Sequence, residues 1–370
     1  MKNLTAPVFF SVMKIISIVV FILTILSSYG GHINPQDLAT PSLLCLGMPY
    51  FALATVVLIL FWAISRKFVF TAVGVIVILI CIPSISTAIP FGYRREIKAD
   101  TEPFKIISWN VLHTQDIRKP EYPGNRALEY MINSGADIIC LAELRNFTPR
   151  ELINASTSLI DSLNFAYPYK AGLNSTDIKV ISKYPVERMN IGLIDEDGDH
   201  RFDFFKVHFP DFKTLIVAMV HLYSYGLNDE ERNVVTEINS MKTAKESVKE
   251  FKGPIIGKLK EAFRRRASNA TLLRNILDSI PEQQPLIVCG DFNDVPASWA
   301  YNIIRSDDLR DAYSETNFGP AITYNLHKFY FHIDQMLYRG DLEAIDLNIG
   351  KINSSDHYPL IGEFVFTNGQ

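Results

Sequence analysis

Apolar residues are distributed unevenly along this chain. Three runs, about Val8 to Ser28, Leu43 to Ile64 and Phe68 to Phe91, are almost free of charge. Each approaches the roughly 20 residues needed to cross a bilayer, which predicts three transmembrane helices and contact with lipid through residues 8–91. A signal peptide is the alternative for the first run, but that run is long and two more follow it. Lys14 interrupts it, and a charge there must snorkel, pair inside the bundle or mark a later start. Lys2 precedes the first run and Arg66-Lys67 joins the second to the third, whereas the loop from Tyr29 to Pro41 carries no Lys or Arg. The positive side is the inner one, so the expected topology places the N-terminus inside and everything after Phe91 on the periplasmic or outer side. Arg94, Arg95 and Lys98 are the counter-signal.

From Thr101 the pattern shortens to strand and helix lengths. Strands are predicted at Phe104 to Trp109, Ile138 to Leu141, Lys179 to Ser182, Asp203 to His208, Thr214 to His221, Leu286 to Cys289, His332 to Tyr338 and Pro359 to Phe366. Asn125 to Asn133 carries Ala127, Leu128, Met131 and Ile132 at helical spacing, with Gly135 as a stop. Between Asn228 and Ile280 two apolar stripes, Val235 to Phe251 and Ile256 to Ile280, flank Gly253-Pro254 and predict a helical hairpin inserted at about 228–280. The expectation is a three-helix anchor over 1–100 and a mixed α/β domain over 101–370, two packed sheets with helices outside.

Charge narrows this further. Of the 36 Lys and Arg and 40 Asp and Glu, seven basic and three acidic residues lie in 1–100, leaving 29 and 37 beyond it and a net charge of −8 there. Such a domain is a poor non-specific binder of polyanions, whereas carboxylates suit metal binding. Residues 242–274 run against the trend, with ten Lys or Arg and three Glu. Arg264-Arg265-Arg266 within them reads as a solvated face or as a surface for anionic headgroups or a phosphorylated substrate. Cys45, Cys81, Cys140 and Cys289 lie in apolar runs and read as small core residues.

The chemistry sits where strands end: Asn110, Glu143, His221, Asp291 with Asn293, Asp334, and Asp356-His357. Each alone is an ordinary turn or cap residue. Together they suit hydrolysis of a phosphoester, with oxygen donors for Mg²⁺ or Mn²⁺, a carboxylate to take a proton from water and imidazoles to donate to phosphate oxygens. No Cys or Ser nucleophile motif and no zinc spacing is present.

In the same order, Ile-Ser-Trp-Asn110, Ile-Ile-Cys-Leu-Ala-Glu143, Val-Ile-Ser-Lys-Tyr-Pro185, Val-His221-Leu, Gly-Asp291-Phe-Asn293-Asp, Ile-Asp334 and Ser-Asp356-His357-Tyr-Pro resemble the endonuclease/exonuclease/phosphatase superfamily, the DNase I-like fold. The resemblance covers about residues 103–367 and extends to a bacterial, membrane-anchored branch. It implies a four-layered α/β sandwich and a metal-dependent phosphodiesterase, nuclease-like or acting on lipid headgroups. A phosphomonoesterase of inositol phosphate type and an inactive binding protein are the alternatives. By the resemblance Glu143 is the main metal ligand with Asn110 and Asp356 close to it. Asp291 orients or deprotonates the water, and Asn293 holds the phosphate or that aspartate. His221 and His357 bind the scissile phosphate, with Asp334 fixing the tautomer of His357. Leu112 and Ala142 depart from the family pattern, where an acidic residue and a Gln are common. The substrate expected is a phosphoester of nucleic acid, phospholipid headgroup or inositol phosphate, and nothing points to a protein partner.

Overall fold

The computed structural model describes residues 5–96, 102–144, 147–148, 152–172, 177–194, 200–226, 245–326 and 329–367. The helices Thr5–Tyr29, Met48–Ile64 and Phe68–Ala88 pack on one another. Their contact face carries several of the segment's polar groups. Trp62 is fully buried and donates its indole N–H to the Ser17 hydroxyl at 2.8 Å, and the Thr24 and Thr55 hydroxyls meet at 2.8 Å. Pairing hides these groups from an apolar surround, and Ile15, Val57, Ile76 and Leu79 face outward. Lys14 is exposed, so it does not pair inside the bundle.

Two helical stretches, Pro7–His32 of 26 residues and Phe68–Ala88 of 21, are long and apolar enough to cross a membrane. The middle stretch, expected as a single span from Leu43, is divided. A short helix Thr40–Cys45 ends at Leu46-Gly47, and Met48–Ile64 then runs for 17 residues. Gly47 and Pro49 explain the division, since glycine is a poor helix former and proline favours a helix's first turn. The third helix stops at Ala88, short of the expected Phe91.

The rest of the chain holds fourteen named strands: β1 (Phe104–Asn110), β2 (Ile138–Ala142), β3 (Tyr169–Ala171), β4 (Lys179–Ser182), β5 (Val186–Ile194), β6 (His200–His208), β7 (Thr214–His221), β8 (Leu286–Asp291), β9 (Arg310–Asp311), β10 (Tyr324–Leu326), β11 (Phe329–Phe331), β12 (Asp334–Arg339), β13 (Leu342–Ile349) and β14 (Leu360–Phe366). One sheet has the order β13-β14-β1-β2-β4-β3 and the other β5-β6-β7-β8-β12-β9. In each the third and fourth strands are parallel, β1 with β2 and β7 with β8, and every other pairing is antiparallel. The two sheets repeat one pairing pattern.

Their inner faces share one core in which Ile106, Ile138, Cys140 and Val180 meet Phe205, Val217, Met219, Ile287 and Cys289. Helices Arg126–Asn133 and Thr157–Ala166 cover the outer face of the first sheet. Helices Lys245–Ser279 and Trp299–Arg305 cover the second, which completes four layers. All four cysteines are buried and free.

The helical insertion differs from its expectation. Its first part, 227–244, lies outside the described residues. The expected break at Gly253-Pro254 is absent, because Lys245–Ser279 continues through Pro254. An internal proline costs a helix about 3 kcal/mol. Burial of Ile255, Phe263, Leu273 and Leu277, each contributing about 1.5–3 kcal/mol, outweighs it. Among the described side chains Ile255 is buried in place of the expected Ile256, which is exposed.

The helical segment is tied to the sandwich. A Cβ on Gly31 would come within 1.8 Å of Ala297 O, so only glycine lets the loop after the first helix lie this close. Gly31 O accepts from Asn302 Nδ2 at 3.1 Å, and Gln36 Nε2 donates to Arg264 O at 2.8 Å. After the last helix, Phe91 bridges to Phe318, and Arg95 pairs with Glu315 at 2.9 Å and Glu343 at 2.7 Å.

Candidate active site

The site lies at the edge where both parallel strand pairs end. In the first sheet Asn110 closes β1 opposite Ala142, and Glu143 follows. In the second, His221 closes β7 opposite Asp291 at the end of β8. Gly290 makes this register practicable: its φ is +137°, and a Cβ there would meet Val220 O at 1.9 Å. Glu143 and Asn293 hold left-handed backbone, φ +53° and +50°. Strain of about 1–3 kcal/mol per residue persists where surrounding contacts fix the conformation, as at functional sites.

Each histidine reaches from its own sheet to carboxylates of the other. His221 Nε2 is 3.4 Å from Glu143 Oε1 and its Nδ1 is 3.6 Å from Asp177 Oδ2. His357, just before β14, has Nδ1 at 2.8 Å from Asp334 Oδ2 and Nε2 at 3.5 Å from Asp291 Oδ2. Asn110 Nδ2 donates to Glu143 Oε1 at 2.9 Å and Asp291 Oδ2 at 3.2 Å, joining the two halves.

Burial alone would raise the Glu143 carboxyl. Hydrogen bonds from His221 and Asn110 and the charges of both imidazoles outweigh it and hold the group down at about 2. Burial lowers His221, but Asp177 and Glu143 more than reverse this and raise it to about 10. Asp291 is 1% exposed, and burial with the nearby Asp334 charge raises it to about 6 despite His357 and His221. Burial also opposes charge on His357, yet Asp334 and Asp291 push it well above the ordinary imidazole value.

Asn293 acts on Asp291 through its backbone, whose N–H donates to Asp291 Oδ1 at 2.7 Å, while its side-chain amide donates to Leu222 O at 2.9 Å. Asp356 is buried, and its Oδ1 is 3.2 Å from the Ser355 hydroxyl, which also lies 2.8 Å from Asn110 O. No contact in the described residues links Asp356 to Glu143. Ligand atoms of Asp291, Asp334 and His357 lie within 4.8 Å of one another, close enough to hold an ion. The raised imidazole already supplies a positive charge between those two carboxylates. The Glu143 carboxyl is held low and its side chain is 25% accessible, so it offers a charged, hard oxygen donor of the kind that suits Mg²⁺ or Mn²⁺, with the Asn110 amide and the His221 ring turning nitrogens toward it.

Two neighbours escape a search confined to strand C-terminal ends. Asp177 precedes β4, which runs antiparallel to β2, so its start lies at the edge where β2 finishes. Arg266, read as part of a charge run, is fully buried. It donates to Asn293 O at 2.6 Å and Tyr223 O at 3.2 Å, its Nε lies 3.3 Å from Asp294 Oδ2, and its guanidinium rests on Tyr225. Its neighbours Arg264 and Arg265 are accessible, so the solvated-face reading holds for two of the three.

A family model described as the Endonuclease/Exonuclease/phosphatase family matches residues 107–357, and a model described as a Domain of unknown function (DUF8431) matches residues 10–88. No curated protein matches the chain. Among solved structures the chain is similar to an endonuclease/exonuclease/phosphatase from Beutenbergia cavernae DSM 12333, at TM-score 0.46 and 16% identity over 71% of this chain and 72% of that one. It is similar to a family protein from Bacteroides thetaiotaomicron, at 0.46 and 13% over 72% and 99%. It is also similar to a beta toxin mutant from Staphylococcus aureus with bound magnesium ions, at 0.41 and 14% over 70% and 99%.

Proposed function

The chain belongs to the endonuclease/exonuclease/phosphatase family, and on that premise we propose that it is a membrane-anchored, divalent-metal-dependent phosphodiesterase. One observation carries this reading: two imidazoles, each between two carboxylates, converge with Asn110 at one edge of the sandwich. Glu143, Asn110 and Asp356 would hold Mg²⁺ or Mn²⁺, which when bound polarises a phosphoryl oxygen and stabilises the leaving one.

The protein's own groups divide the remaining work. Asp291, raised to about 6, is mostly ionised at neutral pH yet basic enough to accept a proton from water. The Asn293 backbone N–H and Asn110 Nδ2 fix the direction of its two oxygens. His221 and His357, both raised, donate to the phosphate oxygens as charge builds there, and Asp334 orients the second ring.

The anchor is supported by the two helices of sufficient length and by their outward apolar faces. The positive flanks support an outward sandwich. Labelling a Glu102→Cys variant in intact cells with a membrane-impermeant thiol reagent tests this; protection reverses the topology. The activity test uses the full chain in detergent with bis-p-nitrophenyl phosphate. Turnover with Mg²⁺ or Mn²⁺, lost on chelation and in Glu143→Gln, is expected. Equal turnover by variant and parent removes the assignment.

A further inference from the structure

Where the helical segment meets the sandwich there is a cavity of about 380 Å³, within the roughly 300–1,000 Å³ range of ligand sites. Its walls come from both sides. Met48, Pro49 and Ala88 stand at the ends of the second and third helices, and Val295, Ala321 and His332 belong to the sandwich. The lining is mostly apolar, and it adjoins the polar site along the chain. Val295 lies two residues after Asn293, and Ile333, which packs on Val295 and Cys45, immediately precedes Asp334. Tyr324, packed on the same cluster, stacks edge-on against His357 with ring centroids 5.0 Å apart.

Two features say what fills it. Around the mouth, Tyr50, Ile322 and Tyr330 are exposed. On the same loop Phe318, paired with Phe91 just beyond the third helix, is exposed too. Aromatic residues at the ends of apolar helices favour the boundary between lipid and water. Inside, His332 is 7% exposed, and the one hydrogen bond its ring approaches, to the Asp334 backbone, is too loose in distance and angle to satisfy either nitrogen. Its ring rests on Tyr313, and burial keeps the imidazole neutral, with one donor and one acceptor nitrogen. A cavity wanting only apolar filling would not need it. An acyl chain leading to an ester or hydroxyl group satisfies both the walls and the ring.

We propose that this cavity binds the acyl chain of a membrane phospholipid, with a polar group near the glycerol against His332 and the phosphodiester at the Glu143–Asp291 edge. The proposal rests on the phosphodiesterase reading for its phosphate end and on the membrane-anchored reading for its acyl end. It makes the helices part of the substrate site, since they supply the wall nearest the bilayer.

The test uses the full chain in phosphatidylcholine and phosphatidylglycerol nanodiscs doped with a phosphatidylcholine bearing a diazirine on its acyl chain. After photolysis, labelled peptides are mapped by mass spectrometry. Label on 320–322 or 330–332 is expected, falling about tenfold in Ala321→Trp and Ala88→Phe, a loss of about 1.4 kcal/mol in binding. Label on the outward faces at Ile18 and Leu79 should persist in both variants, which reports that they fold and insert. Label confined to those outward faces in the parent overturns the proposal, as does cavity label indifferent to filling. Bis-p-nitrophenyl phosphate turnover, measured on the same samples, separates the two readings. A parent that labels the cavity without turnover contradicts the phosphodiesterase alone, and one that turns over without labelling it contradicts the cavity alone.

Discussion

The two sheets repeat one strand pattern, and each delivers a carboxylate where the second strand of its parallel pair ends: Glu143 after β2 and Asp291 at the end of β8. The same topological place has opposite electrostatics. Glu143 is partly accessible and receives hydrogen bonds from His221 and Asn110, so it is held at about 2. Asp291 is buried near a second carboxylate, and it rises to about 6 despite two imidazoles. A fold that presents two equivalent carboxylates obtains two roles by surrounding them differently. The lower one stays charged and suits an ion, while the higher one can exchange a proton near neutral pH.

The largest expected effect comes from removing the charge of either member. Asp291→Asn and Glu143→Gln should each lower bis-p-nitrophenyl phosphate turnover by about 10³-fold or more, measured as initial rates at saturating metal.

Next in size is the contrast between the imidazoles. His357 is held at 2.8 Å by a buried carboxylate, whereas His221 lies 3.4 and 3.6 Å from more accessible ones. Asp334→Asn should therefore cost turnover about 10²-fold, and Asp177→Asn no more than about tenfold. Equal losses in steady-state kinetics would remove the distinction between a fixed and an adaptable ring.

Arg266 supports the Asp291 side alone. Arg266→Met leaves Asp294 buried without its cation and should destabilise the protein by about 3 kcal/mol in chemical denaturation. Because the loop of Asn293 loosens, turnover should also fall about tenfold at temperatures where the variant remains folded.

The smallest effect lies away from the site, where the segment after the last helix joins the sandwich. Burial would raise Glu315, but bonds from Arg310 and Tyr338 and the charges of Arg310 and Arg95 bring it below its ordinary 4.5. A depressed carboxyl contributes stability above its unfolded value and loses it as pH falls through the folded one. Glu315→Gln should thus lower the thermal midpoint by a few degrees at pH 7. The difference from the parent should shrink on acidification below about pH 4.5 and vanish below the folded value.

Legibility in the sequence followed local signal strength. Strands β1, β2, β7 and β8 are mostly apolar and are closed or followed by a polar residue, and that edge is where the structure gathers Asn110, Glu143, His221 and Asp291. The edge strands β5 and β13 were not readable, because Val186–Ile194 and Leu342–Ile349 interleave polar and apolar residues and contain no continuous apolar run. Asp177 was missed since it opens a strand instead of closing one. Arg266 was hidden by its neighbours: three adjacent arginines on a helix point in different directions, and only tertiary structure tells which one enters the core. The divided middle helix and the uninterrupted passage through Pro254 show the converse, in which local propensity and packing on the sheet each prevail where the other is weak.

The central claim is that Glu143 holds the ion and Asp291 moves the proton. Isothermal titration of Mn²⁺ into the full chain and both variants tests it most directly, read beside turnover. Asp291→Asn should bind Mn²⁺ within about threefold of the parent while losing turnover, and Glu143→Gln should lose both, with affinity down at least about tenfold. Loss of Mn²⁺ binding in Asp291→Asn, with binding retained in Glu143→Gln, would contradict the assignment.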